Sequence, residues 1–166
     1  MELTVPQLQI LKGDINTNPD PEFAAYRTAG NAGQMAEWYN VNSTFIVYKP
    51  TESTASLGDT VSYVAVAALV DANVNQLNLF YTLQPQNFEP AHADQRQYLA
   101  DIFSGALGGA GQATRDALEA LYRRAALKGE KLYCTGTGTT VAPGALNATA
   151  QGDITTQNIL DAQALP

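Results

Sequence analysis

Apolar residues recur at helical intervals along much of this chain. Leu8, Leu11 and Ile15 share a face of a first helix, which Thr4 and Gln7 open with capping-box spacing and whose first turn tolerates Pro6. The run Asn16-Thr17-Asn18-Pro19-Asp20-Pro21 must break it, because proline clashes with a continuing helix and restricts the residue before it. A short helix fits Glu22 to Thr28. A better-supported one covers Ala32 to Asn40, with Met35, Trp38 and Tyr39 at i, i+3, i+4. From Asp71 onward Val74, Leu77, Phe80 and Tyr81 repeat the pattern. Glu89 or Pro90 opens another helix, with Tyr98, Leu99, Ile102 and Phe103 on one side.

The clearest helix is predicted from about Thr114, with Leu118, Leu121, Tyr122 and Ala125 as its buried stripe. Arg115, Glu119 and Arg123 form an exposed i, i+4 ladder, and Gly129 is a natural stop. Thr155 to Ala164 closes the chain as a short helix. Alternation and β-branching are confined to short stretches. Thr44 to Tyr48 (TFIVY) reads as a strand ended by Pro50, and Lys131 to Cys134 as another. Thr135 to Thr140 is a Gly-Thr turn or extended arm, and Ala145 to Ala150 could return as its partner strand. Thr51 to Thr60 reads as a polar loop. Ser104 to Gly111, with four glycines in eight residues, reads as a flexible or tightly turning loop. Val61 to Val70 is ambiguous between strand and helix. The pattern predicts a mostly α (α+β) fold: one domain over residues 1–166, bundle-like, with a small β-hairpin or extended arm near the C-terminal third.

Composition sharpens this picture by what it lacks. Only 15% of the 166 residues are charged, against roughly 25% in an average soluble domain. In their place stand 26 alanines, 16 threonines and 23 Asn plus Gln. A net charge of −7 repels phosphate backbones, so sequence-specific nucleic acid is not an expected partner. No apolar run approaches the roughly 20 residues of a membrane span, and the opening MELTVPQLQI lacks the pattern of a secretory signal. A single cysteine excludes an internal disulfide and suits a reducing cytoplasm.

Candidate chemistry is correspondingly thin. Gly105, Gly108, Gly109 and Gly111 precede a helix, yet no Lys follows them as a Walker loop requires, and no strand precedes them as a dinucleotide fingerprint requires. A hinge or inter-helix loop explains them better. Gly136-Thr137-Gly138-Thr139-Thr140 could present amides to an anion, but a turn, or an arm pairing with a neighbouring subunit, suits the residues better. His92 lies near Asp94 and Glu89 without the further ligands a zinc site needs, and Cys134 reads as a small buried apolar residue. Asp14, Asp20 and Glu22 do not match a calcium loop. Arg123, Arg124 and Lys128 read as a solvated helix end. No catalytic residue, metal ligand or cofactor is expected.

Three blocks resemble small virion proteins of tailed bacteriophages: LKGDINTNPDPEFAAY (Leu11 to Tyr26), FIVYKP (Phe45 to Pro50) and TRDALEALYRRAALKGEKLYCTGTGT (Thr114 to Thr139). The stretch Thr51 to Leu83 departs most from that group. The resemblance implies a structural part of the neck, head–tail joining region or tail, made in the host cytoplasm and present in the virion as a symmetric homo-oligomeric ring contacting other virion proteins. Low charge agrees with it, because ring contacts must not bury unpaired charges. The expected subunit-contact residues are Gly105, Gly108, Gly109 and Gly111 in the glycine loop, and Thr135, Gly136, Thr137, Gly138, Thr139 and Thr140 in the arm. Two other readings stay open: a capsid decoration or tail-fibre-associated binding module, and a small enzyme or nucleotide- or anion-binding protein using the glycine loops.

Overall fold

Polar side chains start most of the helices in the computed structural model, which describes residues 2–104 and 108–166. Helix α1 (Val5–Thr17) begins after Thr4, whose amide and hydroxyl both donate to Gln7 Oε1, at 2.8 and 2.9 Å. Asp20 Oδ1 accepts the amides of Glu22 and Phe23 to start α2 (Pro21–Thr28). Asn31 does the same for Gln34 at the head of α3 (Ala32–Tyr39). The expected breaks and helix faces are all present over these first 40 residues.

The described residues gather into two compact units. The first comprises the chain up to Val47 together with Ala125–Pro166, and the second is Tyr48–Arg124. In the first unit, α1 and α3 pack against the last helix, α10 (Thr156–Ala164), which a reciprocal Thr155–Asn158 box caps. Leu11, Ile15, Phe23, Met35, Tyr39, Ile154 and Ile159 fill the core. Each such side chain contributes about 1.5–3 kcal/mol when fully buried. Phe23, Trp38 and Tyr39 meet as an aromatic trio with centroids 4.8–5.3 Å apart. Strand β1 (Asn42–Tyr48) is two residues longer than expected at its start.

The second unit opens with the two-residue strand β2 (Glu52–Ser53), which pairs antiparallel with β3 (Asn87–Phe88). Between them run α4 (Thr54–Thr60), α5 (Tyr63–Ala67) and α6 (Asp71–Leu83); α7 (Ala93–Ile102) and α8 (Gly108–Leu121) follow. Leu57, Phe80, Phe88, Leu99, Ile102, Phe103, Leu118 and Tyr122 form its core. The molecule is therefore mostly helical, as the periodicities predict, and the described residues form two small two-stranded sheets.

Several local expectations are corrected. Thr51 to Thr60 is no loop: Ser53 Oγ accepts the Ser56 amide at 3.0 Å and starts α4, whose Leu57 is buried. Val61 to Val70, open between strand and helix, holds the short helix α5. Helix α7 starts at Ala93, later than Glu89 or Pro90. Gly108, Gly109 and Gly111 belong to α8, not to a loop, while Gly105 lies outside the described residues. Buried Thr114, Leu118 and Tyr122 anchor α8 in the core, and that packing carries its glycine-rich first turn into the helix.

The largest correction follows Leu121, where the expected long helix ends. Arg123–Leu127 is a strand, β4, paired with β1; Ser43 Oγ donates to the Ala126 carbonyl at 2.8 Å. Lys131 to Cys134, expected as a strand, instead completes and follows the one-turn helix α9 (Lys128–Lys131). Gly129 lies inside α9 and stops nothing. A Cβ there would stand 2.5 Å from Ile154 Cγ1. Ala145 to Ala150 is likewise not a strand: Ala145 forms one bridge with Thr135, and Ala148–Ala150 is a 3-10 turn.

Because Ile154 is itself fixed in the core, Gly129→Ala should lower stability by about 1–3 kcal/mol in chemical denaturation. Ile154→Ala should then cost less in the Gly129→Ala background than in the parent chain. Equal costs in both backgrounds would contradict this close approach.

Candidate functional site

The arm expected to reach a neighbouring subunit is seated on its own chain. The Ile46 amide donates to the Gly138 carbonyl at 2.7 Å, and the Gly144 amide donates to the Ile46 carbonyl at 2.8 Å. Val47 and Gly144 form a parallel bridge. Thr135 and Ala145 exchange two 3.0 Å bonds that close the base of the arm. At the tip the Thr139 amide donates to the Ala142 carbonyl at 3.1 Å, and Thr139 Oγ1 accepts the Ala142 amide in return. Thr137 Oγ1 donates to the same Ala142 carbonyl at 3.0 Å.

Phe45 explains the glycines of this arm. A Cβ on Gly138 would lie 2.2 Å from the Phe45 ring, and one on Gly144 2.3 Å from it. Gly138 also has φ +63°, where a side chain is strained. The ring is thus gripped between two backbone segments that only glycine allows so close. Thr135, Gly136, Thr137, Thr139 and Thr140 stay exposed, as does Val141 at the tip, 91% accessible. In the second unit Gly109 is exposed and Gly111 is buried. The sequence signals the arm but not its anchor, since a lone Phe in a strand carries no mark of what sits on it.

Helix α5 was missed altogether as a surface. Its only buried side chain is Ala65, while Tyr63 is 90% and Val64 69% exposed. Val70 just beyond it is exposed as well. Among the described residues of this unit, Tyr63 and Val64 are the most exposed large apolar side chains. The signal in the sequence was the unbroken apolar run itself, which fits neither helical nor strand periodicity.

Two clefts carry polar groups. In the first unit, an open cleft of about 500 Å³ is lined by residues that include Asp14, Asn18, Trp38, Ser43, Lys128 and Lys131. Lys128 Nζ lies 3.7 Å over the Trp38 ring, a cation–π contact in place of the expected solvated helix end. Asp14 Oδ2 accepts from Tyr39 Oη at 2.6 Å and from Asn18 Nδ2 at 2.9 Å. Burial, and then that bond to Asp14, holds the Tyr39 hydroxyl well above its ordinary value. In the second unit a smaller cleft of about 210 Å³ is lined by Arg96, Arg115, Glu119 and Tyr122 among others. Burial raises the Tyr122 hydroxyl, with the Glu119 charge adding to the effect.

His92 is exposed, its Nε2 3.2 Å from Glu89 Oε2. Cys134 is half-buried, with Sγ 3.3 Å from the Glu130 carbonyl. Among the described residues no three His, Cys, Asp or Glu side chains lie close enough to share a metal ion. No helix among them is long and apolar enough to cross a membrane. No protein-family model, curated protein or solved structure matches the chain.

The grip on Phe45 makes a specific prediction. Gly144→Ala should release the arm, seen as faster proteolysis within residues 135–145. Phe45→Ala should reduce the added effect only in part, because the Thr135 carbonyl also lies 2.8 Å from the new Cβ. Unchanged proteolysis in Gly144→Ala would contradict the packing.

Proposed function

We propose that this chain is a structural subunit that works by packing against other protein chains, without turnover of a substrate. The observation that carries this reading is the exposed Tyr63-Val64 pair on α5, a helix that buries Ala65 alone. Removing such apolar surface from water is worth about 25 cal/mol for each Å² covered. A second chain is the natural source of that cover. Low charge and abundant small or amide side chains favour the same role, because few ions would need to be stripped of water at a contact.

The resemblance of Leu11 to Tyr26, Phe45 to Pro50 and Thr114 to Thr139 to small phage virion proteins gives the role its setting. In that setting the chain is a neck, head–tail joining or tail component, arranged as a ring by head-to-tail contacts that close on themselves. Its partners are further copies of itself and neighbouring virion proteins. The exposed residues of the arm tip, Thr137 and Thr139 to Val141, offer a second contact in addition to α5.

Replacing Tyr63 and Val64 together by Ser tests this directly. Both side chains are exposed, so the melting temperature should hold, with a stability change within about 0.5 kcal/mol. Sedimentation velocity at micromolar concentration should show the oligomer of the parent chain lost in the double variant. A parent chain that is strictly monomeric at every concentration and does not bind to particles would overturn the reading.

A further inference from the structure

We propose that the cleft between α7 and α8 in the second unit is a carboxylate-binding site. It is lined by Arg96, Gln112, Arg115, Asp116, Glu119 and Tyr122, with Ala100 and Leu118. Its two acids are already engaged: Asp116 accepts from Gln112 Nε2 at 2.7 Å, and Glu119 is paired with Arg123. Its two arginines are bonded to other groups. Arg96 donates to the Pro90 carbonyl and lies 3.6 Å over the Tyr48 ring. Arg115 donates to the Phe103 carbonyl and to Gln112 Oε1. None of these acceptors carries a charge, and neither arginine has a salt bridge among the described residues.

The second observation is Tyr122. It is 2% exposed and its ring is held edge-on by Phe88 at 5.9 Å, yet its hydroxyl has no hydrogen-bond partner among the described residues. A buried donor left unpaired is costly, and an oxygen arriving beside the arginines would satisfy it. The hydroxyl is covered in the structure, so an incoming group must first displace the side chains that cover it.

Guanidinium groups favour planar, two-oxygen acceptors, which leaves carboxylate and phosphate. The cleft selects between them. At about 210 Å³ it suits an acidic side chain and falls below the usual size of a small-molecule site. The source of the carboxylate rests on the assembly reading: a chain with 16 acids against 9 bases carries surplus carboxylates on every copy. The site itself does not depend on that reading.

Glutarate, with glutaramide at matched ionic strength as the neutral control, is the probe. Glutarate should raise the melting temperature of the full chain and glutaramide should not. Arg96→Gln and Arg115→Gln should each weaken the apparent affinity about tenfold. Tyr122→Phe should raise the melting temperature of the unliganded chain while weakening glutarate severalfold. A merely structural hydroxyl would not move both readouts in opposite directions. Glutarate stabilising the Arg96→Gln/Arg115→Gln double variant as well as the parent would overturn the site, as would a Tyr122→Phe chain that melts lower. Glutarate that disperses the oligomer identifies a second copy as the source. Binding without dispersal identifies a free carboxylate. A monomer that binds glutarate keeps the site and defeats the assembly reading, while an oligomer indifferent to glutarate, with no thermal shift, does the reverse.

Discussion

Glu130 is 1% exposed, and its carboxylate accepts the Leu127 amide at 3.0 Å and the Gly152 amide at 2.9 Å. Burying that carboxylate is tolerable because hydrogen bonds replace its water. The bonds matter beyond their own strength because the chain from α9 to α10 has almost no regular structure. Its backbone groups must find partners individually, since buried amides and carbonyls are rarely left unpaired. Asn40 supplies two of them by mimicking a strand, donating to the Ile154 carbonyl and accepting its amide. Ile46 supplies two more to the arm. The first unit is thus completed by a scatter of polar clasps between the N-terminal residues and a nearly unstructured return segment.

This arrangement explains what could be read in advance. Helices α1, α2, α3 and α10 are specified locally: each has its cap and its apolar face within a few residues. Helix α6 was legible from its face alone. Strand β4 was not. Arg123 to Leu127 has good helix formers, and only pairing with β1, some 80 residues earlier (83 for the Ser43–Ala126 bond), pulls it into a strand. Strands β2 and β3, with two residues each, have no periodicity to read. Gly138 and Gly144 were visible as a flexible arm, but their reason lies in Phe45, nearly a hundred residues away. The apolar run from Val61 was visible as an anomaly, though not as a surface.

Seating of the arm also redistributes where partners can bind. Its glycines spend their backbone bonds on β1, and that edge is closed to strand addition by another chain. What remains open is the side-chain surface of the arm tip and the apolar face of α5. The cleft between α7 and α8 adds charge to the same unit as α5, which allows an apolar contact and an ionic one to be made by a single partner. In the proposed assembly, apolar cover would supply strength to such a contact and a seated carboxylate would supply register.

Hydrogen exchange, compared between the dilute chain and its assembled state, tests this division most directly. The amides of Ile46 and Gly144 should be protected already in the dilute chain and change little on assembly, while residues 61–70 gain protection. Free exchange of Ile46 and Gly144 until assembly, with no change over residues 61–70, would mean that the arm belongs to a neighbour and that α5 is not the contact.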